Sequence, residues 1–248
     1  MSNHDILTAD ISSLYRYYIY PNLIQSLLLR KQGNIRFWEE NRSAMILWGP
    51  SVFIGGEFSK ANGEKVISVL NDLDTPRYLY LPDETWRSFI QSTLSDQLKD
   101  KYLHLYQFDN THIIDPNEDR QCIVQISRDF IENNLPNTEL VINELYSYTD
   151  MEDFFQNGFG LALIIDGIVS GYCLSEYSIN HSHGINIWID EQYRGLGYAR
   201  KMIHAFLLHC QERNHNAYWV CNADNIRSNK AAASSGFVLK STMHYFEL

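Results

Sequence analysis

The stretch Tyr193-Arg194-Gly195-Leu196-Gly197-Tyr198-Ala199-Arg200-Lys201-Met202 sets two alternating glycines and an alanine between an arginine and an apolar run. A β-rich segment precedes it, and residues at helical spacing follow. The first amides of a helix have no intrahelical acceptor, and the helix dipole adds partial positive charge. An anion bound there satisfies both. Gly195 and Gly197 let the main chain approach an anion that a Cβ would hold away. Arg194, Arg200 and Lys201 add local positive charge. The chemistry suggested is a pyrophosphate cradle, although an ordinary strand-to-helix turn has the same outline. The dinucleotide fingerprint is excluded because its third glycine would fall on Arg200 and hairpins precede the strand. A P-loop is excluded because no Gly-Lys-Ser/Thr follows after four intervening residues.

The elements that must position this loop can be read from periodicity. "INIWID" alternates Ile185, Ile187 and Ile189 with Asn186, Trp188 and Asp190, which predicts a half-buried strand. Ala199, Met202, Ile203, Phe206, Leu207 and Cys210 fall at helical spacing, and Asn214-His215-Asn216 stops that run. "AYWVCN" predicts a strand, and "NIRSNKAAASSGF" a helix with Gly236 as its C-cap. "LKSTMHYFEL" closes the chain as one or two strands. Upstream, Asp166-Gly167 inside "FGLALIIDGIVSGYCLSEYSI" marks a hairpin, because its turn needs positive φ. Before that come "QCIVQIS", a short helix from about Arg128, "TELVIN" and a helix near 150–157.

The N-terminal half opens with a helix capped by Thr8 or Asp10, carrying Leu14, Tyr17 and Tyr18, then Leu23, Leu27 and Leu28 beyond Pro21. The strands "NIRFWEE", "SAMILWG" and "VFIGGEF" follow, then a helix near 60–71, "RYLYL", a helix near 84–99 and "YLHLYQF". The polar stretch "DPNEDR" (115–120) is the expected boundary.

With 248 residues, 45% of them hydrophobic, the chain can bury a large core in one or two domains. Its 30 acidic against 20 basic residues, a formal charge of −10, argue against nucleic acid or an anionic membrane as partner. They leave room for a small anionic ligand at a local basic patch. The four cysteines, Cys122, Cys173, Cys210 and Cys221, lack metal spacing and read as buried thiols in a reducing compartment. "MSNHDILTAD" lacks the pattern of a signal peptide, and no apolar run reaches membrane-spanning length, so a cytoplasmic protein is expected.

Around this loop the sequence resembles the GNAT acetyltransferases, whose central motif is a strand, R/Q-x-x-G-x-G/A and a helix that bind the pyrophosphate of acetyl-coenzyme A. "RGLGYA" matches it as Arg194, Gly197 and Ala199, with Gly195 as an extra glycine and Leu196 and Tyr198 between. The second signature, N-x-x-[SA] leading to G-F, matches as Asn225, Ser228, Gly236 and Phe237. This resemblance covers roughly 120–248. "PNLIQSLLLRKQGNIRFWEENRSAMILWGPSVFIGG" and "GYCLSEYSI...YRGLGYARKMIHAFLLHCQERN" are in turn similar to the zwittermicin A resistance branch, extending the likeness to nearly the full chain.

The resemblance implies an α/β (α+β) fold: a mixed, mostly antiparallel GNAT-type sheet flanked by helices. It also implies a degenerate GNAT-like lobe over 1–118, without the phosphate motif, and an acetyl-CoA-binding catalytic domain over 119–248. The pantetheine arm would lie in a V opened by a bulge in the strand before the loop, held by backbone groups around Ile187, Trp188 and Ile189. Asn225 would reach the cofactor from the next strand's end. The implied reaction is acetyl transfer from acetyl-CoA, as co-substrate, to the amine of a small molecule, an antibiotic or amino compound being one class.

That reaction needs a base for the amine and an acid for the thiolate. Glu176 and His183 are the first candidates for the base, with His181 and Asp190 behind them. Each has a plainer reading: a solvated strand face for Glu176, a polar loop for "NHSHG", a turn for Asp190. Many members of the family carry an acid tyrosine seven residues after the asparagine, where this chain has Ala232. Tyr245 and Tyr172 could serve instead, or simply pack. A catalytically silent coenzyme A-binding or regulatory module is therefore the alternative. Transfer onto a protein would need an open peptide groove that the sequence does not show, and nothing in it fixes an oligomeric state.

Overall fold

The computed structural model describes residues 11–15, 18, 21–38, 42–73, 78–112, 114, 115 and 120–248. The expected cap at Thr8 or Asp10, Tyr17 and most of "DPNEDR" lie outside the described residues. The chain divides into two compact units: Met1–His104 with Asn222–Asp224 and Ser241–Leu248, and Leu105–Cys221 with Asn225–Lys240. The expected 118/119 boundary falls inside the second unit, which begins at Leu105.

In the first unit, helix α1 (Pro21–Leu29) leads into the antiparallel strands β1 (Asn34–Trp38), β2 (Ser43–Trp48) and β3 (Ser51–Gly56). Strand β4 (Tyr78–Tyr80) joins β3 in parallel, and the C-terminal part of β11 (Phe237–Glu247) pairs with it antiparallel, Tyr245 opposite Tyr80. Two helices cover the sheet. Helix α2 (Lys60–Asn71) starts where Ser59 accepts the Asn62 amide, and α3 (Glu84–Leu94) where Asp83 accepts those of Thr85 and Trp86. Such caps satisfy orphan amides and contribute about 1 kcal/mol each. Helix α3 stops at Leu94 and passes into a 3-10 turn, Ser95–Gln97, short of the expected 99. Trp86, Ile90, Val66, Ile54, Leu79 and Phe246 form this unit's core.

The second unit holds the remainder of β5 (Lys99–Phe108) and of β11, with β6 (Ile123–Gln125), β7 (Gly160–Ile165), β8 (Ile168–Ile179), β9 (Ser182–Ile189) and all but the last residue of β10 (Asn216–Asn222). Its strand order is β11-β5-β10-β9-β8-β7-β6. Strands β6 to β9 form an antiparallel run, and β10 joins β9 in parallel. The expected Asp166-Gly167 hairpin forms, both residues having positive φ (51° and 76°). A second tight turn, Asn180-His181, also with positive φ (48° and 61°), joins β8 to β9.

Alternation sorts the side chains of β8 and β9 to two faces. Cys173, Ile185 and Ile189 face α7 (Tyr198–Glu212), packing with Met202, Ile203, Phe206 and Cys210. On the other face Tyr172, Leu174 and Trp188 pack with the short helices α4 (Arg128–Asn133), α5 (Thr138–Asn143) and α6 (Met151–Asn157). Helix α8 (Ile226–Ser234) ends before Gly236, whose φ is 87°, and "LKSTMHYFEL" belongs to a single strand, β11. Cys173, Cys210 and Cys221 are buried, but Cys122 is exposed, since it sits in the turn before the three-residue edge strand β6. Among the described residues no helix is long and apolar enough to cross a membrane.

Candidate active site

Gly197 caps helix α7 with φ of 83°, and Gly195 has φ of 79°. Both angles belong to the left-handed region that an L side chain disfavours. Nothing lies within 4 Å of where a Cβ would stand on either, so the space above them is open. The alternating glycines therefore serve conformation and approach together. The first α-helical bond recorded at this mouth runs from Lys201 N–H to the Gly197 carbonyl, and no side chain caps the helix. By helix geometry the amides of Tyr198, Ala199 and Arg200 have no intrahelical acceptor, and this first turn borders a cavity of about 360 Å³ lined by Ile189, Tyr193, Arg194, Gly195, Gly197, Tyr198, Ala199, Arg200 and Ile203 and, at the end of α8, by Ala231, Ser234 and Ser235. This cradle fits a phosphate group. Leu196, at the crest of the loop, is 64% exposed. Arg194 turns back: its Nε donates to the Ile189 carbonyl at 2.9 Å.

Strand β9 feeds this loop, and its pairing is lopsided. The Asp190 amide donates to Ser170 on β8, and the register continues through Trp188–Tyr172 and Asn186–Leu174. By the two-residue alternation of an antiparallel ladder, the main-chain groups of Ile187 and Ile189 face away from β8. On that side β10 pairs only at Ser182–Asn216, His183–Ala217 and Gly184–Tyr218. Beyond Gly184 the two strands have no registered partners among the described residues, so a gap opens toward the loop. Trp188 differs from the expectation: its main chain faces β8, and its ring stacks on Tyr172 at 5.8 Å. The bulge also lies elsewhere than expected. It is in β8, where Tyr177 and Ser178 oppose the single residue His183 between the pairs Glu176–Gly184 and Ile179–Ser182.

Glu176, Gly184 and Tyr218 form one cross-strand row at the point where the gap begins. The Glu176 carboxylate shares its face with Tyr172, Tyr146 and Glu144. Burial, then the carboxylates of Glu144 and Glu176, push the Tyr172 hydroxyl pKa well up. Tyr146 is raised by burial and by the same two carboxylates. Glu144 is anchored by Asn186 Nδ2, which donates to its Oε2 at 2.9 Å. No periodicity or motif singles out Glu144, which reaches the site from a turn after α5.

The structure separates His183 from Glu176. It lies on the opposite face of β9, buried, edge-on to Phe159, with Nδ1 2.8 Å from Ser178 Oγ and Nε2 2.9 Å from His215 Nδ1. Burial chiefly, then His215, His209 and His181, push its pKa down to about 3. Exposed His181 stacks on His215 in the turn, and Asp190 accepts the Gln192 amide, as the turn reading requires. Asn225 caps α8 by accepting the Ser228 amide at 3.1 Å, and Ser228 Oγ accepts Trp219 Nε1–H at 2.9 Å. Both side chains are committed to shaping the start of that helix. Ala232 is fully buried in the core with Trp219 and Phe237, and it offers no proton. Tyr245, in the first unit, donates to Asn222 Oδ1 at 2.7 Å.

A splayed strand pair ending in a glycine-spaced helix mouth defines a class, and comparison with known proteins agrees. The profile of the GNAT acetyltransferase family matches residues 18–246, and the chain belongs to that family. It is 25% identical over 171 residues to the uncharacterized N-acetyltransferase YdfB of Bacillus subtilis (strain 168). That match spans 67% of this chain and 65% of the relative's length. In fold the chain is similar to a GCN5-related N-acetyltransferase-like protein of Streptococcus suis 89/1591, with TM-score 0.73, 20% identity and 99% of both chains covered. A GNAT-family acetyltransferase of Colwellia psychrerythraea follows, with TM-score 0.62, 12% identity and 100% and 98% covered.

Proposed function

We propose that this protein transfers the acetyl group of acetyl-coenzyme A to the amine of a small molecule by direct attack, with Glu176 as base. The observation that carries this reading is the continuity of gap and cradle. The β9–β10 ladder stops beside Glu176, and β9 runs from there into the open mouth of α7. The main chain of Gly195, Leu196, Gly197, Tyr198 and Ala199 would hold the pyrophosphate, and the outward main-chain groups of Ile187 and Ile189 the pantetheine amides.

Glu176 takes a proton from the acceptor's ammonium, directly or through a water. The neutral nitrogen attacks the thioester carbonyl, the new C–N bond forms, the C–S bond breaks, and the surplus proton on nitrogen passes to solvent. The departing thiolate receives its proton from solvent or a donor other than position 232. Carboxylates and aromatic rings on the Glu176 face suit a cationic acceptor. The likeness to the zwittermicin A resistance branch makes an aminated antibiotic or amino compound the class to test first. Ala232 favours a second reading, a silent coenzyme A-binding or regulatory module.

Turnover with a panel of amines separates the two readings. Glu176→Gln keeps size while removing basicity and should lower kcat/KM at pH 7 by about 10²–10⁴-fold. The deficit should narrow as pH rises and the amine deprotonates unaided. Full activity of Glu176→Gln across that range would eliminate Glu176 as base, and no turnover by the parent with any amine would favour the silent module.

A further inference from the structure

We infer that Tyr218 and Tyr148 are positioning residues that clamp the β8 bulge from two sides and so aim Glu176; this rests on the reading of Glu176 as the base. Glu176 stands immediately before Tyr177, whose φ of 44° is one that bulky L residues disfavour. A carboxylate next to such a residue stays aimed only if the surroundings over-determine the backbone. They do. The Tyr218 hydroxyl donates toward the main-chain carbonyls of both Glu176 (3.3 Å) and Tyr177 (3.2 Å). To reach them from β10, its ring must cross β9. It crosses at Gly184, where a Cβ would stand 2.9 Å from the ring. Glycine at 184 is thus explained by the crossing, since its position is regular strand.

Tyr148 holds the other side of the bulge. Its hydroxyl lies 3.1 Å from the Ser175 carbonyl, 2.7 Å from Ser175 Oγ and 2.9 Å from Ser178 Oγ. Those residues flank Glu176 and Tyr177. The chain of bonds continues from Ser178 to His183 and His215, while the Phe159 amide donates to Ser175 Oγ at 2.8 Å. One proton arrangement satisfies every contact. Tyr148 donates to the Ser175 carbonyl and accepts from both serine hydroxyls, Ser178 accepts from His183 Nδ1–H, and His183 Nε2 accepts from His215. A neutral His183 therefore completes the clamp.

The test measures kcat/KM for an accepted amine across pH for the parent, Tyr218→Phe, Tyr148→Phe, Gly184→Ala and Glu176→Gln, with thermal unfolding alongside. A misplaced base costs rate steeply, so Tyr218→Phe should lose about tenfold or more, with KM for acetyl-coenzyme A unchanged. Gly184→Ala, which keeps the hydroxyl but obstructs the crossing, should reproduce the loss. The decisive readout is non-additivity: Tyr218→Phe in the Glu176→Gln background should cost nothing further, because it acts only through that carboxylate. A lower melting temperature with unchanged kcat/KM, or a further loss in the Glu176→Gln background, would overturn the clamp while leaving Glu176 as base. An inert Glu176→Gln would overturn the base reading, and the positioning role with it.

Discussion

Acidification should destabilise this protein through His183, and the size of the effect follows from its burial. An unfolded histidine titrates near 6.5, whereas the native side chain, inside the core and facing His215, His209 and His181, is held down to about 3. Between those values the unfolded chain binds a proton that the native chain refuses, so stability falls as pH drops through 6.5 and the loss levels off near 3. At pH 5 the contribution is about 2 kcal/mol relative to pH 8. That figure is insensitive to the native value, because any native pKa well below 5 leaves the unfolded titration to set it. His209, pushed down to about 4 by burial first, and His215, lowered chiefly by burial, act in the same direction. The assay is denaturant unfolding at pH 5, 6, 7 and 8 for the parent and His183→Gln, whose curve should be flatter by about 2 kcal/mol over this range. An identical slope in the variant, or an imidazole resonance of His183 titrating near 6.5 in the folded protein, would refute the reasoning.

Gly197→Val forces a branched side chain into φ of 83° at the mouth of α7. Acetyl-coenzyme A at about 100 times its Kd should stabilise the parent by about 2.7 kcal/mol, roughly 5–10 °C in Tm, and the variant not at all; an equal shift in both would take the loop out of the site. Calorimetric titration should give one coenzyme A per chain, since among the described residues only the second unit carries the cradle, and a stoichiometry near two would reveal a further site. Glu144→Gln should raise KM for a cationic amine several-fold with kcat nearly constant, because it removes attraction in ground and transition states alike. An unchanged KM would place Glu144 outside the acceptor's reach.

Local signals carried the second unit's outline. The glycine-spaced loop, the Asp166-Gly167 turn and the alternation of "INIWID" each report a conformation that the residues dictate within a few positions. What escaped depends on pairing at long range. The bulge was expected in β9 and lies in β8, because register is decided by how two strands close, and nothing in "LSEYS" announces a positive φ at Tyr177. "NHSHG" reads as loop by composition, yet His183 is buried strand, its imidazole satisfied by Ser178 and His215. Glu144 and Tyr218 join Glu176 from 32 and 42 residues away along the chain. Asn186 holds the one in place, and the missing Cβ at Gly184 lets the hydroxyl of the other reach the Glu176 carbonyl.

The early end of the β9–β10 ladder has a consequence for how this site can change over evolutionary time. A ligand lying between those strands would be held through main-chain donors and acceptors, as a surrogate strand, and these groups are the same whatever residue carries them. Side chains at Ile187 and Ile189 could then drift among apolar types, constrained by the core they pack on and hardly at all by the co-substrate. An alanine scan along β9 would register lost packing and miss the recognition. Opposite pressures apply on the Glu176 face, where identity resides in side chains and each exchange alters which amine fits. One sheet would thus keep a conserved grip and a revisable one a few ångströms apart, so that new acceptors could be tried without surrendering the donor.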